Sequence, residues 1–356
     1  MGRVATLHRG ATDPVARTAA LVAFLLAVIV GCSGGEESAG EGGGESSAPQ
    51  QETTGVSAEA AADANEAGLI MVLEYHRVGG DPSFAPEWTI STEDFRDQLQ
   101  YLYDNDYYPM NFRDLVEDNI DVPAGKTPVV LTFDDSSDTQ FTMVRENDEW
   151  VPDPDGAVGV MADFSERNPD WPMRATFFVL PEADAPNNLF GQPELSEKKL
   201  NYLVDNGMEI GTHTLYHENL ALASPEEVQR QIVLSIEAVQ EYVPGYEVRT
   251  LGVPFGEYPE DITLLHSGSY EGRSYRLSGA AEVTGGATYP PGHPEFDPFR
   301  VPRIQAEPEK EDIGYYFDYF ESNPDERFVS DGDPETRTVP DDADLRETTG
   351  AADEQY

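Results

Sequence analysis

Two stretches of this 356-residue chain hold the residue types that hydrolytic chemistry needs. The first is Thr132-Phe133-Asp134-Asp135, at the end of an apolar run. Consecutive strand residues point to opposite faces, so two adjacent carboxylates can share one site only where the strand is ending. There they can divide the work, one as metal ligand and one as base. Acidic pairs at strand ends also serve as solvated loop starts or helix caps. One enzyme class is set aside: an aspartyl-phosphate phosphatase needs Asp-x-Asp after the strand, and position 136 is Ser136.

The second stretch is His213-Thr214-Leu215-Tyr216-His217. Histidines at i and i+4 meet on one side of a helical turn, the spacing that lets two imidazoles share one metal. The chain has only six histidines, and His8 lies near the N-terminus, so the pair stands out from a poor background. Zinc-protease helices of this spacing carry Glu directly after the first His as base. Thr214 occupies that place here, so a base must come from elsewhere. Asp135 would complete a His₂-carboxylate set with open positions for water and substrate, which suits catalytic Zn²⁺ or a similar divalent ion. A third stretch, Val253-Pro254-Phe255-Gly256, follows an expected strand. It is either an ordinary turn or one that aims the Phe255 N–H into the site as an oxyanion donor.

The elements that must position these residues follow from the hydrophobic pattern. Buried strands are expected at residues 69–73, 129–133, 175–180, 248–253 and 300–304. A helix starts after Ser91, with Asp94 three residues on and Phe95, Leu99 and Leu102 on one face. A second covers residues 196–206, with Gly207 just past its end. A third begins at Ser224-Pro225-Glu226-Glu227 and carries the stripe Val228, Ile232, Ile236, Val239 and Val243. Ile313, Tyr316, Phe317 and Phe320 mark a fourth. Strands alternating with helices give an α/β fold, with βα units around a mostly parallel sheet or barrel.

The chain carries 68 acidic against 22 basic residues, a formal net charge of −46. That charge repels nucleic acid and anionic headgroups, which excludes a nucleic-acid partner, and it reads as solubility or adaptation to a salty exterior. Cys32 is the only cysteine, so no intramolecular disulfide forms. It follows a basic leader with Arg3, Arg9 and Arg17 and the apolar residues 19–30. That run is short of the ~20 residues a membrane helix needs. The order reads as a secretory signal peptide, and Ile29-Val30-Gly31-Cys32 resembles a bacterial lipobox with Cys32 as the lipid-bearing residue. The chain is then exported and held at the outer face of the cell membrane through lipid on Cys32. The expected organisation is a lipoprotein signal over 1–32, a disordered Gly/Ser/Glu-rich tether over 33–66, a catalytic domain over 67–340, and an acidic disordered tail over 341–356.

In order, Glu74-Tyr75-His76-Arg77-Val78, Thr132-Phe133-Asp134-Asp135, Ala175-Thr176-Phe177-Phe178-Val179, Glu209-Ile210-Gly211-Thr212 with the His213 to His217 stretch, Pro254-Phe255-Gly256 and Pro302-Arg303-Ile304 resemble the polysaccharide deacetylase family (NodB-homology, carbohydrate esterase family 4). The resemblance covers roughly residues 69–330. It implies a distorted (β/α) barrel with its site at the strand C-terminal ends. It also implies a divalent metal, zinc first among them, on Asp135, His213 and His217. Asp134 is then the base toward water, and the Phe255 N–H meets the oxyanion. The chain departs from the family at three places. Ser136 stands where Gly usually follows Asp-Asp. Gly252 stands where the family usually has the Arg that orients the catalytic Asp. The late Leu-x-His of the family has no counterpart, since Leu264-Leu265-His266 follows the Phe255 turn too closely.

Arg303 is expected to reach Asp134 in place of the missing Arg. His76, after the first strand, is expected on the same rim as Asp134 and Asp135 and to act there as the proton donor, or else to pack under the site against a neighbour. Residues 140–173 form an insertion that either shapes a substrate groove or decorates the surface. The leading reading is removal of N-acetyl groups from N-acetylglucosamine-containing polysaccharide. The alternatives are an O-acetyl esterase on acetylated xylan and a decayed glycan- or metal-binding lipoprotein.

Overall fold

The computed structural model describes residues 64–306, 312–340 and 352–355. The signal segment, Cys32 and the tether up to residue 63 lie outside these, as does most of the tail. Within the tail, Ala352–Gln355 pair in parallel with Thr336–Val339, where an unstructured segment was expected. Among the described residues no helix is long and apolar enough to cross a membrane.

Seven parallel strands close on themselves. They are β1 (Met71–Tyr75), β3 (Thr127–Phe133), β4 (Thr176–Val179), β5 (Glu209–Thr212), β6 (Thr250–Gly252), β7 (Gly279–Gly285) and β8 (Val301–Gln305). The ring runs β1-β8-β7-β6-β5-β4-β3 and returns to β1, with Leu73 opposite both Ile304 and Leu131. A further strand, β2 (Tyr107–Met110), pairs with the first half of β3. Helices α1 (Thr92–Asp104), α2 (Ala157–Arg167), α3 (Ser196–Asp205), α4 (Pro225–Tyr242) and α5 (Asp312–Ser322) complete the main elements. Two of their starts are the capped ones read from the sequence: Ser91 Oγ accepts from Asp94 N at 3.0 Å and Ser224 Oγ from Glu227 N at 3.2 Å.

The alternation of strand side chains divides the core. Leu73, Tyr75, Leu131, Phe133 and Phe177 pack with the helices, among them Phe95 and Leu99 of α1. Tyr75, Phe133 and Phe177 stack in sequence, with ring centroids 5.2 and 4.7 Å apart. Val72, Val130, Phe178, Ala281 and Val301 form a second cluster of opposite parity, inside the ring. Glu74, Thr132, Asp134 and Arg303 share that inward parity and continue it toward the strand C-terminal ends.

Much of the insertion 140–173 is built into the core. It contributes a hairpin of Met143–Glu146 and Glu149–Pro152 and then α2. Phe141, Met143, Val158, Met161, Phe164 and Trp171 are buried in the outer core.

Asn65 and Glu66, placed in the tether by the sequence reading, are tied to the folded domain. Asn65 bridges to Val329, and Glu66 accepts from Asp331 N (3.1 Å) and Thr338 N (2.8 Å). Burial, with Asp331 nearby, pushes the Glu66 carboxyl from its ordinary 4.5 up to about 7. The folded chain therefore holds this proton more tightly than the unfolded chain, so stability present below pH 4.5 is lost as pH rises through about 7. Glu66→Gln lacks that contribution. Between pH 5 and pH 8 its stability relative to wild type should shift in its favour by roughly 2–3 kcal/mol, read by denaturant unfolding. A difference that stays flat over this range contradicts a raised Glu66.

Candidate active site

The three residues read as metal ligands converge. Asp135 follows β3, His213 follows β5 and His217 lies four residues on. Asp135 Oδ1 is 3.6 Å from His213 Nε2 and 3.5 Å from His217 Nε2, and one donor atom from each residue lies within 4.8 Å of the others. The turn that joins the histidines is not helical, contrary to the spacing argument. Thr214 and His217 have φ of 71° and 68°, which no α-helix contains. Local hydrogen bonds replace the helical ones: Thr214 N donates to Thr212 Oγ1 (3.0 Å), Leu215 N to Gln231 Oε1 (3.0 Å), and Glu218 N to Thr214 Oγ1 (3.1 Å).

The donor set fits a divalent ion. His213 Nδ1 lies 2.7 Å from the Gly252 carbonyl, which fixes the proton on that nitrogen and leaves Nε2 as a lone pair facing Asp135. Burial pushes His213 down to about 4 and also lowers His217, so both rings are neutral and able to ligate near pH 7.

Arg303 meets Asp134, as expected from sequence. Its Nη1 and Nη2 donate to Asp134 Oδ1 and Oδ2 at 2.8 and 2.7 Å, a bidentate pair buried on both sides. Nη1 also donates to Thr132 Oγ1 (3.0 Å), Nη2 to Glu74 Oε1 (2.8 Å), and Nε to the Glu282 carbonyl. Burial alone would raise the Asp134 carboxyl, but the Arg303 guanidinium and His213 outweigh it and hold the group well below the usual carboxylate range. Glu74 was not singled out by sequence. Its signal was an acid inside an otherwise apolar strand.

These groups open on a cavity of about 360 Å³ lined by His76, Trp88, Asp134, Asp135, His213, His217, Phe255 and Val283. His76 is on the rim as expected, its ring against Trp88 with centroids 4.5 Å apart. Phe255 sits at φ 60° in the turn after β6, its ring 4.3 Å from that of His217. Trp88 and Val283 were missed, since neither lies in a recognisable motif. His266 stacks on Phe299 at 3.9 Å and His293 on Tyr289 at 3.7 Å, and neither lines this cavity.

Both departures beside the site have a local account. Ser136 adopts φ 44° where glycine is the easy residue. Its Oγ donates to Asn187 O (2.8 Å) and accepts from Leu180 N (3.0 Å), which offsets the strain. Gly252 cannot be larger, because a Cβ there would lie 2.9 Å from the Phe178 ring and 3.1 Å from His213 Nδ1.

The family profile for polysaccharide deacetylase matches residues 170–269. A Bacillus cereus peptidoglycan-N-acetylglucosamine deacetylase is 28% identical over 139 residues, covering 39% of this chain and 40% of that protein. A Sinorhizobium fredii chitooligosaccharide deacetylase is 29% identical over 139 residues, covering 39% of this chain and 52% of that protein. The match thus spans about half or less of these relatives. Among solved structures, a Bacillus cereus polysaccharide deacetylase aligns with a TM-score of 0.51 at 18% identity, over 70% of this chain and 69% of that one. A Streptococcus pyogenes deacetylase in complex with acetate aligns with a TM-score of 0.50 at 19% identity, over 69% and 97%. The structural likenesses show a shared barrel fold.

Gly252→Ala should displace His213 through the close contacts described. We expect zinc affinity to fall roughly 10- to 100-fold by calorimetric titration, the usual effect of disturbing a ligand's hydrogen-bond partner, with a stability loss of about 1–3 kcal/mol. Unchanged zinc affinity would show that His213 is not fixed by this wall.

Proposed function

We propose that this chain, which belongs to the polysaccharide deacetylase family, is a metal-dependent hydrolase that removes N-acetyl groups from N-acetylglucosamine-containing polysaccharide outside the cell. The observation that carries this reading is one cavity holding two differently fixed carboxylates. Asp135 faces two neutral imidazoles, while Asp134 is pinned by Arg303 beside them.

A divalent ion on Asp135, His213 and His217, zinc by its donor chemistry, would supply Lewis acidity toward an acyl carbonyl and a water. The chain's own groups account for the rest. Asp134 is ionised throughout the working pH range, and each carboxylate oxygen keeps a lone pair beyond the one Arg303 uses, so it can take a proton from the attacking water. The Phe255 N–H, in the turn that borders the cavity, serves the developing oxyanion. His76, on the same rim as Asp134, gives a proton to the leaving nitrogen. Trp88 and the half-exposed Phe255 offer ring surface to a sugar, and the cavity's size falls within the range of small-molecule sites.

The leader and Cys32 support export and attachment through lipid to the outer face of the cell membrane, where such a polymer is met. The net charge of −46 agrees with a partner other than nucleic acid.

The test is acetate release from N-acetylglucosamine oligomers and from acetylated xylan, with zinc supplied and then chelated. Metal-dependent release from the first is expected. Release from xylan alone would favour ester substrates, and release from neither would leave only a binding role. Asp134→Asn should lower turnover on the oligomers by about 10²–10⁴-fold. A variant that keeps most of its activity would remove Asp134 as base.

A further inference from the structure

Glu74 is fully buried at the end of β1, two residues before His76. Its Oε1 lies 2.8 Å from Arg303 Nη2 and 4.0 Å from His76 Nε2. It is also the register partner of Thr132, the residue that shares Arg303 Nη1 with Asp134. One carboxylate therefore faces both sides of the cavity: the guanidinium that holds Asp134 and the imidazole on the rim.

Charge explains why this matters. Arg303 brings one positive charge to two buried carboxylates, Glu74 and Asp134, so the cluster keeps one net negative charge. Glu74, His76 and Asp134 also have donor atoms within 4.8 Å of one another, a spacing that would suit a second metal. The Arg303 guanidinium already bonds to both carboxylates as their shared cation, so a second ion has no place there. The remaining negative charge is directed at His76.

We propose that Glu74 is the positioning residue for proton delivery, its carboxylate lying against the His76 imidazole and directing the ring that serves the leaving group. The inference rests on the hydrolase reading above. In the step it serves, the C–N bond of the tetrahedral adduct breaks and its electron pair stays on nitrogen. That nitrogen takes the His76 ring proton, the carbonyl re-forms as acetate, and His76 is left neutral. An amide depends on this proton, whereas an activated aryl acetate, whose leaving group is stable as an anion, does not.

The experiment compares Glu74→Gln with wild type on an N-acetylglucosamine oligomer and an activated aryl acetate. Gln keeps an acceptor for Arg303 but lacks the charge. The expected result is a loss of roughly 10- to 100-fold on the amide with the ester held within about 3-fold, and zinc affinity by calorimetry changed by no more than about 3-fold. Both substrates are read on one preparation, so the folded fraction cancels in their ratio. Against a His76→Gln background the same substitution should add little further loss on the amide. Should Glu74→Gln not accumulate, Glu74→Asp draws the carboxylate back by one methylene and should lower the same ratio. Equal losses on amide and ester, an unchanged ratio, or full multiplication of the two substitutions would each overturn the proposal. Wild-type protein inactive on both substrates would instead overturn the hydrolase reading, so the two failures are distinct.

Discussion

Arg303 is a fully buried guanidinium with five N–H donors, and the structure gives every one an acceptor. Nε takes the Glu282 carbonyl, Nη1 takes Thr132 and Asp134, and Nη2 takes Glu74 and Asp134. The acceptors come from β7, β3 and β1, with Arg303 itself on β8. β7, β8 and β1 are consecutive in the sheet, and β3 joins them because the sheet closes between β1 and β3. Breaking a buried ion pair by removing one partner typically costs about 3–5 kcal/mol, since an unmatched charge is left in the interior. Closure of the barrel thus sets the Thr132 and Asp134 acceptors beside Arg303.

The same constraint separates the jobs of two adjacent aspartates. Asp134 continues the inward parity of Val130 and Thr132 and is captured by Arg303. The strand ends at Phe133, and Asp135 and Ser136 take φ of 72° and 44°, which turns Asp135 toward the histidines instead of the outer core. Holding two such residues left-handed is unfavourable, by about 1–2 kcal/mol each. Ser136 compensates through its two hydroxyl hydrogen bonds and through its carbonyl, which accepts from Phe190 N at 2.8 Å. A residue that departs from the family's glycine thus does the fixing by side-chain chemistry.

Much of this was legible in the chain. Barrel strands buried on both faces read as continuous apolar runs, which exposed β1, β3, β4 and β8 and so located His76, Asp134, Asp135 and Arg303. The caps at Ser91 and Ser224 fixed two helix starts. β7 was missed because its core-facing half is Gly279-Ala280-Ala281, too small to stand out. Gly279 has to be small, since a Cβ there would lie 2.6 Å from both Val116 and the Pro298 carbonyl. β2 was hidden by Pro109, a residue that argues against a strand. The insertion's hairpin and α2 were hidden by its Asp, Trp and Pro content. The 213–217 turn was misread as helical because spacing reports that two rings can meet but not which backbone brings them together. Glu74 and Trp88 matter through partners distant in sequence, which no local pattern reveals.

By the proposed function, one divalent ion is held by Asp135 and the histidine pair, while Asp134, held by Arg303, stays out of the coordination shell. Calorimetric zinc titration of the wild-type chain, Asp134→Asn and Asp135→Asn tests it directly. The account predicts one ion per chain, affinity within about tenfold of wild type for Asp134→Asn, and a loss of roughly 100-fold or more for Asp135→Asn. Two ions per chain, or equal losses for the two variants, would contradict it.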